Sequence, residues 1–592
     1  MAGRHQAAAA AELSYANVPA QQARMLGSLP VIASFCRRLD ISGVIDELAP
    51  IRDVATMTAG QAAGAMICNR LTSPAPLVHV GDWARSWAVP EILGIPAFAL
   101  NDDKPGRTLD VIAPELEEIT GAAALRVIAA FGTGISQLHQ DMTSFSLHGA
   151  CEQPDEDYPA PSWGHPKDRR EDLLQIQAGI AASSDGGIPA CARTCSGGAA
   201  GISQVTGAMN ALRKIAGPKK FLLAGDSKLI SYGNVAAIGG AGCTFLAPAS
   251  KLYVTAAGLA ACDLARATEV AYVAGRDQHK KNTGQLGRWY VLEDDQSFEI
   301  RNSRRKSDPP IRLRRVFVHS TARAGAAATS RARKLTRAKD DLDRLVPGLG
   351  GRFYPTGEKV ADRLRQIARD RKVGPYLHYS LGTAPAAPAG DPKSTSTSQG
   401  SEQTETASTA GTRPGAPPAG SWQGSGSGRP GKPALTWWSG QAAIGAEAAT
   451  DGWYALITNL AASTTAAEVL LRYKAQEAAE RRYGNLKGPL AVAPMFLNSN
   501  RRIAALITVI SLALLIFCLI EREARRNLAP QTKVDGLCNR QPARPADRLI
   551  LTALASLQLF PATATSPAQI PRPSPVQARL LDLLGVDPTR PP

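Results

Sequence analysis

From Ile503 to Ile520 the chain runs eighteen residues without a charged side chain, closed off by Arg501-Arg502 before and Glu521-Arg522-Glu523 after. A segment that apolar can end only in lipid or in a protein core. Its length is the lower limit for a membrane span. Thr508, Ser511 and three alanines dilute it, and positive charge on both flanks gives no orientation signal. It also follows directly on a polar helical segment. The reading is therefore a core helix buried on all sides, which obliges the rest of the chain to supply apolar surface around it. With 592 residues and 44% hydrophobic content the chain can do so, in two or three domains.

The polar segment just upstream is the most informative for function. In LRYKAQEAAERRYGNLKGPL, Tyr473, Gln476, Glu480 and Lys487 stand at i, i+3, i+7 and i+14. On one continuous helix that spacing puts all four on a single stripe. Such a stripe is usually apolar, but here it carries a phenol, an amide, a carboxylate and an ammonium. Far upstream, Asp141 in QLHQDMTSFS and Asp226 in FLLAGDSKLI lie in or just after strand-like runs. Two Asp and one helical Glu are the hard oxygen donors that a pair of Mg²⁺ or Mn²⁺ ions needs for phosphoryl transfer. The bland reading of any one Asp is a turn or cap residue.

A net charge of +16 suits a polyanionic partner, double-stranded DNA before membrane. Basic residues crowd at 301–315, among them Arg304, Arg305, Lys306, Arg314 and Arg315. A DNA-backbone surface competes there with an ordinary solvated face. The nine cysteines are odd in number and scattered, and Cys191-x-x-x-Cys195 has no second pair at zinc spacing. Residues 1–26 lack the apolar core of a secretory signal. Reduced thiols in a cytoplasmic, nucleoid-associated protein are the expectation. Trp289 and Trp438 are candidates for base stacking or for core packing.

Along the chain, residues 1–26 read as a disordered N-terminus and 27–130 as a helical domain. Strand-like runs follow at 138–147, 173–182, after a turn at Asp185-Gly186-Gly187, at 219–226 and at 243–247, with a helix at 203–216 between them. A hairpin centred on Asp294-Asp295 and helices at 328–345 and 358–372 come next. Residues 383–435 are Ala, Pro, Gly, Ser and Thr with almost no large apolar side chain, the composition of a disordered linker. Short helices occupy a tail at 528–592.

Together these blocks resemble a DDE transposase of a bacterial insertion sequence, in the branch with a Tyr-x-x-Arg-x-x-x-Glu-x-x-x-x-x-x-Lys signature. Tyr473, Glu480 and Lys487 match it, with Gln476 where the family has Arg. Asp141-Met142-Thr143-Ser144-Phe145 to Gly149 is similar to the family's first-Asp block. Gly164 to Gln175 resembles the block that follows it, with Glu171 in place of Pro. Asp226-Ser227, followed by Asn234, resembles the second-Asp block. A family Gly-Asn-Thr-x-Asp block appears as Gly197-Gly198-Ala199-Ala200-Gly201.

The resemblance implies an α/β fold: an RNase H-like mixed sheet flanked by helices, interrupted by a strand-rich and helical insertion. The catalytic domain would occupy 131–255 and 436–527, with the insertion at 256–382 and the linker at 383–435. Asp141, Asp226 and Glu480 would be the catalytic metal ligands for two ions. Tyr473, Gln476 and Lys487 would contact DNA near the cut. A homodimer on paired element ends is implied, with strand cleavage and strand transfer as the chemistry. Two other classes stay open: a catalytically inactive remnant that still binds DNA, and a membrane-anchored protein built around 503–520.

Overall fold

The computed structural model describes residues 23–50, 56–148, 151, 154–163, 170–197, 217, 220–277, 286–296, 298–383, 423–427, 431–487, 490, 497–562 and 566–588. The chain divides into two compact units. The first comprises Met1–Pro248, Asp295–Arg315 and Leu456–Pro592; the second comprises Ala249–Asp294 and Val316–Ala455.

The first unit opens with helices α1 (Leu29–Arg38), α2 (Ile41–Leu48), α3 (Ala59–Thr72), α4 (Asp103–Ile112) and α5 (Leu116–Phe131). Local chemistry sets their ends. Pro30 stands in the first turn of α1, where its missing N–H costs nothing. Thr58 and Gln61 cap α3 reciprocally, and Gly132, at φ +61°, closes α5 in the left-handed conformation. Five helices of the same unit come late in the chain: α6 (Ala466–Lys474), α7 (Gln476–Lys487), α8 (Asn500–Arg526), α9 (Asp547–Leu554) and α10 (Pro575–Leu584).

Helix α8 is the expected core helix. Every residue from Ile503 to Ile520 is buried. It packs against α1, α3, α4, α5, α7, α9 and α10, and against the strand Pro189–Ser196. Each fully buried leucine or isoleucine on it contributes about 1.5–3 kcal/mol. Its polar interior residue Ser511 is satisfied by donating to the Ile507 carbonyl at 2.8 Å. Charge is confined to the ends. Arg502 grips Asp110 with two hydrogen bonds, 2.9 and 2.6 Å. Arg522 does the same to Asp185 at 2.9 and 2.6 Å.

The sheet of this unit runs β3-β2-β1-β4-β5-β6. Its strands are β1 (Gln137–Leu147), β2 (Leu174–Ser183), β3 (Pro189–Ser196), β4 (Leu222–Ala224), β5 (Thr244–Pro248) and β6 (Trp453–Thr458). Strands β1, β2 and β3 are antiparallel neighbours. β4 lies parallel to β1, and β5 parallel to β4. Leu456–Thr458 of β6 return antiparallel to β5. The β2–β3 turn is the expected one, with Gly186 at φ +84° and Gly187 at φ +65°. This is the α/β class anticipated, a mixed sheet with helices and a helical N-terminal region.

In the second unit, Val316–Ser320 pair with Trp289–Glu293, which pair with Thr268–Val270. Helices Thr321–Leu345 and Gly357–Asp370 share a core with a three-stranded sheet of Leu377–Thr383, Pro433–Ser439 and Gln423–Ser427. Trp437 is buried at its centre, while Trp438 points outward and stacks on His378. Trp289 is buried too.

Four sequence expectations need correction. Asp294-Asp295 is not a hairpin turn: Trp289–Glu293 and Phe298–Ile300 do not pair with each other but with successive stretches of Ile311–Ser320. Residues 423–427 and 433–435, inside the expected disordered linker, are strand. Gly424 and Gly426 explain this, because a Cβ on them would fall 2.4 Å from the Trp437 ring and 2.3 Å from Val346. The missing side chains are what let this strand close over the core. At the N-terminus, Arg24–Met25 pair with Gln558–Leu559, so order begins before residue 27. The tail is no appendage either, since Ile550, Leu554, Leu580 and Leu584 belong to the same core as α8. The expected helix at 203–216 and the 164–169 stretch lie outside the described residues.

Candidate active site

Strand register decides the placement of the two aspartates. In the parallel β1–β4 ladder, Gln137, Leu138 and His139 face Leu222, Leu223 and Ala224. Asp141 lies two residues beyond His139, and Asp226 two beyond Ala224. The strands are still side by side there, for a Cβ on Gly225 would stand 3.4 Å from the Gln140 carbonyl oxygen. Side chains alternate along a strand, so Asp141 leaves β1 on the same face as His139, while Asp226 sits in the turn just past the end of β4, the neighbouring strand. Asp141 is half-buried and Asp226 exposed. The Asp141 carboxylate accepts from the Met142 N–H at 2.7 Å. That of Asp226 accepts from the Lys228 N–H at 2.9 Å and caps the short turn that follows β4. Asp226 is thus a cap residue as well as a candidate ligand.

His139 shares that face and was missed by sequence reasoning, because nothing in its spacing marks it. It is 1% exposed. The Gln137 amide donates to its Nε2 at 2.9 Å and to the Arg472 carbonyl of α6 at 2.7 Å. The proton therefore falls on Nδ1, which has no partner. Burial pushes the imidazole pKa down to about 4, so it is neutral beside the aspartate pair at ordinary pH.

The helical residues are arranged differently from expectation. The segment is not one helix: α6 ends at Lys474 and α7 begins at Gln476, with Ala475 between at φ −59°, ψ −16°. That flattened ψ tightens the chain toward 3₁₀ geometry and takes Tyr473 off the helix that carries the other three. Helix α7 packs on β1. Glu480 is exposed on it. Among the described residues, no three His, Cys, Asp or Glu side chains stand close enough to hold a metal ion. The fold thus puts Asp141 and Asp226 on neighbouring strands of one sheet, and among the described residues Glu480 joins them in no group of three. The Gln476 amide oxygen is buried without a hydrogen-bond partner. Lys487 closes α7.

A second feature that sequence reasoning missed anchors α7. Arg482 is buried and donates to Glu521 of α8 at 2.8 Å, to Asp547 of α9 at 2.7 Å and to the Gly186 carbonyl at 2.7 Å. Burial and the neighbouring Glu521 carboxylate push Asp547 up to about 6. Burial opposes ionisation of Glu521 too, but Arg482 and Arg525 outweigh it and hold that carboxyl below its usual range. These residues are 39 and 65 positions apart in sequence, so no local pattern links them.

Of the basic run, Arg304, Arg305 and Lys306 are exposed in the connection between Phe298–Ile300 and Ile311–Ser320. Arg314 is engaged by the Leu460 and Ala461 carbonyls at 3.3 and 2.7 Å. Arg315 lies over the Phe298 ring at 5.1 Å. Those two are structural contacts within the unit. Cys191 and Cys195 are free thiols, and burial pushes Cys191 up to about 12, away from the thiolate form that binds metal.

Residues 21–120 match a family described as "Domain of unknown function (DUF4277)", a domain that sits at the N-terminus of many transposases. No curated protein matches the chain.

Proposed function

We propose that the chain is a metal-dependent DNA transposase that cleaves strands at element ends and joins them to a target. The observation that supports this reading is the parallel β1–β4 pairing, which makes the strand bearing Asp141 the neighbour of the one that Asp226 follows. Two hard carboxylates of like charge, one strand apart, fit Mg²⁺ or Mn²⁺ better than zinc, whose preferred Cys and His donors are absent from the pair. Such an ion, when bound, supplies an activated water or 3′-hydroxyl and stabilises charge on the leaving oxygen. The aspartates would hold it. His139, neutral and buried, would keep the floor of the site free of competing positive charge. Glu480 would complete the set through a movement of α7 when DNA binds. The basic excess of the chain and the N-terminal domain match are consistent with a DNA partner.

The alternative is a remnant that binds element ends without cutting. Among the described residues Glu480 joins the aspartates in no group of three; that and the buried amide of Gln476, where the family has Arg, favour it. One experiment separates the two. Wild type, Asp141→Ala, Asp226→Ala and Glu480→Ala are assayed for binding and for Mg²⁺-dependent nicking of duplexes carrying the repeats that flank the coding sequence. The transposase reading expects wild type to nick and all three variants to bind without nicking. Binding without nicking by wild type itself selects the remnant.

A further inference from the structure

Where α7 meets the C-terminal end of α8, a cavity of about 520 Å³ is lined by six arginines and only two carboxylates. The volume lies within the roughly 300–1,000 Å³ of ligand-holding clefts. Both carboxylates are already spent. Asp185 is clasped by Arg522 through two hydrogen bonds, 2.9 and 2.6 Å. Glu521 is shared between Arg482, at 2.8 Å, and Arg525. Arg526 is more than half exposed, pairs with Glu523 at 3.5 Å and donates to the Phe131 carbonyl at 3.4 Å. Arg481 and Arg544 have no ion-pair partner among the described residues, and both are exposed at the cavity. The Arg482 Nε–H is buried without a hydrogen-bond partner. Burial lowers the pKa of Arg525, and Arg481, Arg544 and Arg482 crowding around it lower it further. The wall therefore carries more positive charge than the protein's own acids balance, in a recess of low dielectric where an anion gains most.

We propose that this cavity is a phosphate-binding site, with Arg481 and Arg544 as the groups that close on the phosphate oxygens. Guanidinium is the side chain suited to this, since its planar fork meets two oxygens at once. The phosphate can come from a DNA backbone or from a small phosphorylated ligand. The inference does not rest on the aspartate pair, because no metal ligand contributes to the cavity.

The test uses the full chain, with pyrophosphate and a short duplex as probes in calorimetric titrations at fixed chloride. Arg481→Gln, Arg544→Gln and the double variant are compared with Arg365→Gln, an exposed arginine on the helix Gly357–Asp370. Thermal melting of each variant confirms that the fold survives. The expected result is pyrophosphate binding that weakens at least tenfold in the double variant and stays unchanged in Arg365→Gln. A parallel loss of duplex affinity, with pyrophosphate competing, identifies the backbone as the source. Undiminished duplex affinity identifies a small phosphorylated ligand. Equal affinity of wild type and double variant for both probes overturns the proposal. Strand nicking is scored separately, so a failure of the transposase reading would not be mistaken for a failure of this one.

Discussion

The paired strand ends β1 and β4 and the helix α7 were expected to supply one site, yet they are built by different physics. Three register pairs fix the strands that carry the aspartates, Asp141 within β1 and Asp226 in the turn just past β4. A shift of one residue in β1 would send Asp141 to the other face. Glu480 has no such ladder. Its position depends on a helix interrupted at Ala475 and anchored through the buried Arg482. Ligands on a sheet are set when the sheet forms. A ligand on a packed helix is set only as well as its packing, and it can move.

The strongest way to break that contrast is at the sheet. Asp141→Asn and Asp226→Asn should each reduce Mg²⁺-dependent nicking by on the order of 10³-fold or more, in line with the loss of a principal electrostatic group. Single-turnover cleavage measures it. Near-normal cutting by either variant would mean that the register does not define the site.

Next is the anchor. Arg482→Met takes the arginine from buried Asp547 and one of two from Glu521, which keeps Arg525, and should cost about 3–5 kcal/mol in a urea titration. A loss below 1 kcal/mol would show that α7 is held by something else, and its contrast with the sheet would weaken.

A pH titration sharpens the picture at the sheet. The His139 pKa is depressed to about 4 in the fold, against 6.5 for the free side chain. A depressed folded pKa gives stability that is full above 6.5 and is lost as pH falls toward 4. The expected loss is about 3 kcal/mol across that window. His139→Gln should flatten that segment of the stability curve. A curve unchanged by the substitution would place the titrating group elsewhere.

The smallest effect belongs to the helix. Gln476→Leu removes a buried carbonyl that has no partner, so stability should hold or rise by about 1 kcal/mol, with duplex affinity unchanged. A fall in duplex affinity would restore Gln476 as a DNA contact.

What the sequence made legible follows the same division. The apolar run 503–520, the strands and the Gly186-Gly187 turn were readable because they depend on period and local backbone chemistry. The aspartates were readable as residues in or just after strands, though the pairing of those strands needed the ladder. The break at Ala475 carries no signal, since alanine is the best helix former. The Arg482 cluster was unreadable because its partners meet only through tertiary packing. Gly424 and Gly426 misled by composition. Glycine reads as flexible linker, but these two are small so that a tryptophan and a valine can sit against them.

The burial of α8 also has a consequence in time. Its N-terminal partners α1, α3, α4 and α5 end at Phe131, and it begins at Asn500. At synthesis rates of roughly 5–20 residues per second, the ribosome needs on the order of 20–70 s to deliver it. Throughout that interval the N-terminal helices wait with an uncovered apolar face. The newborn chain therefore carries that apolar surface exposed until α8 emerges, and a nonsense mutation between Phe131 and Asn500 would leave the N-terminal helices without the helix that covers them.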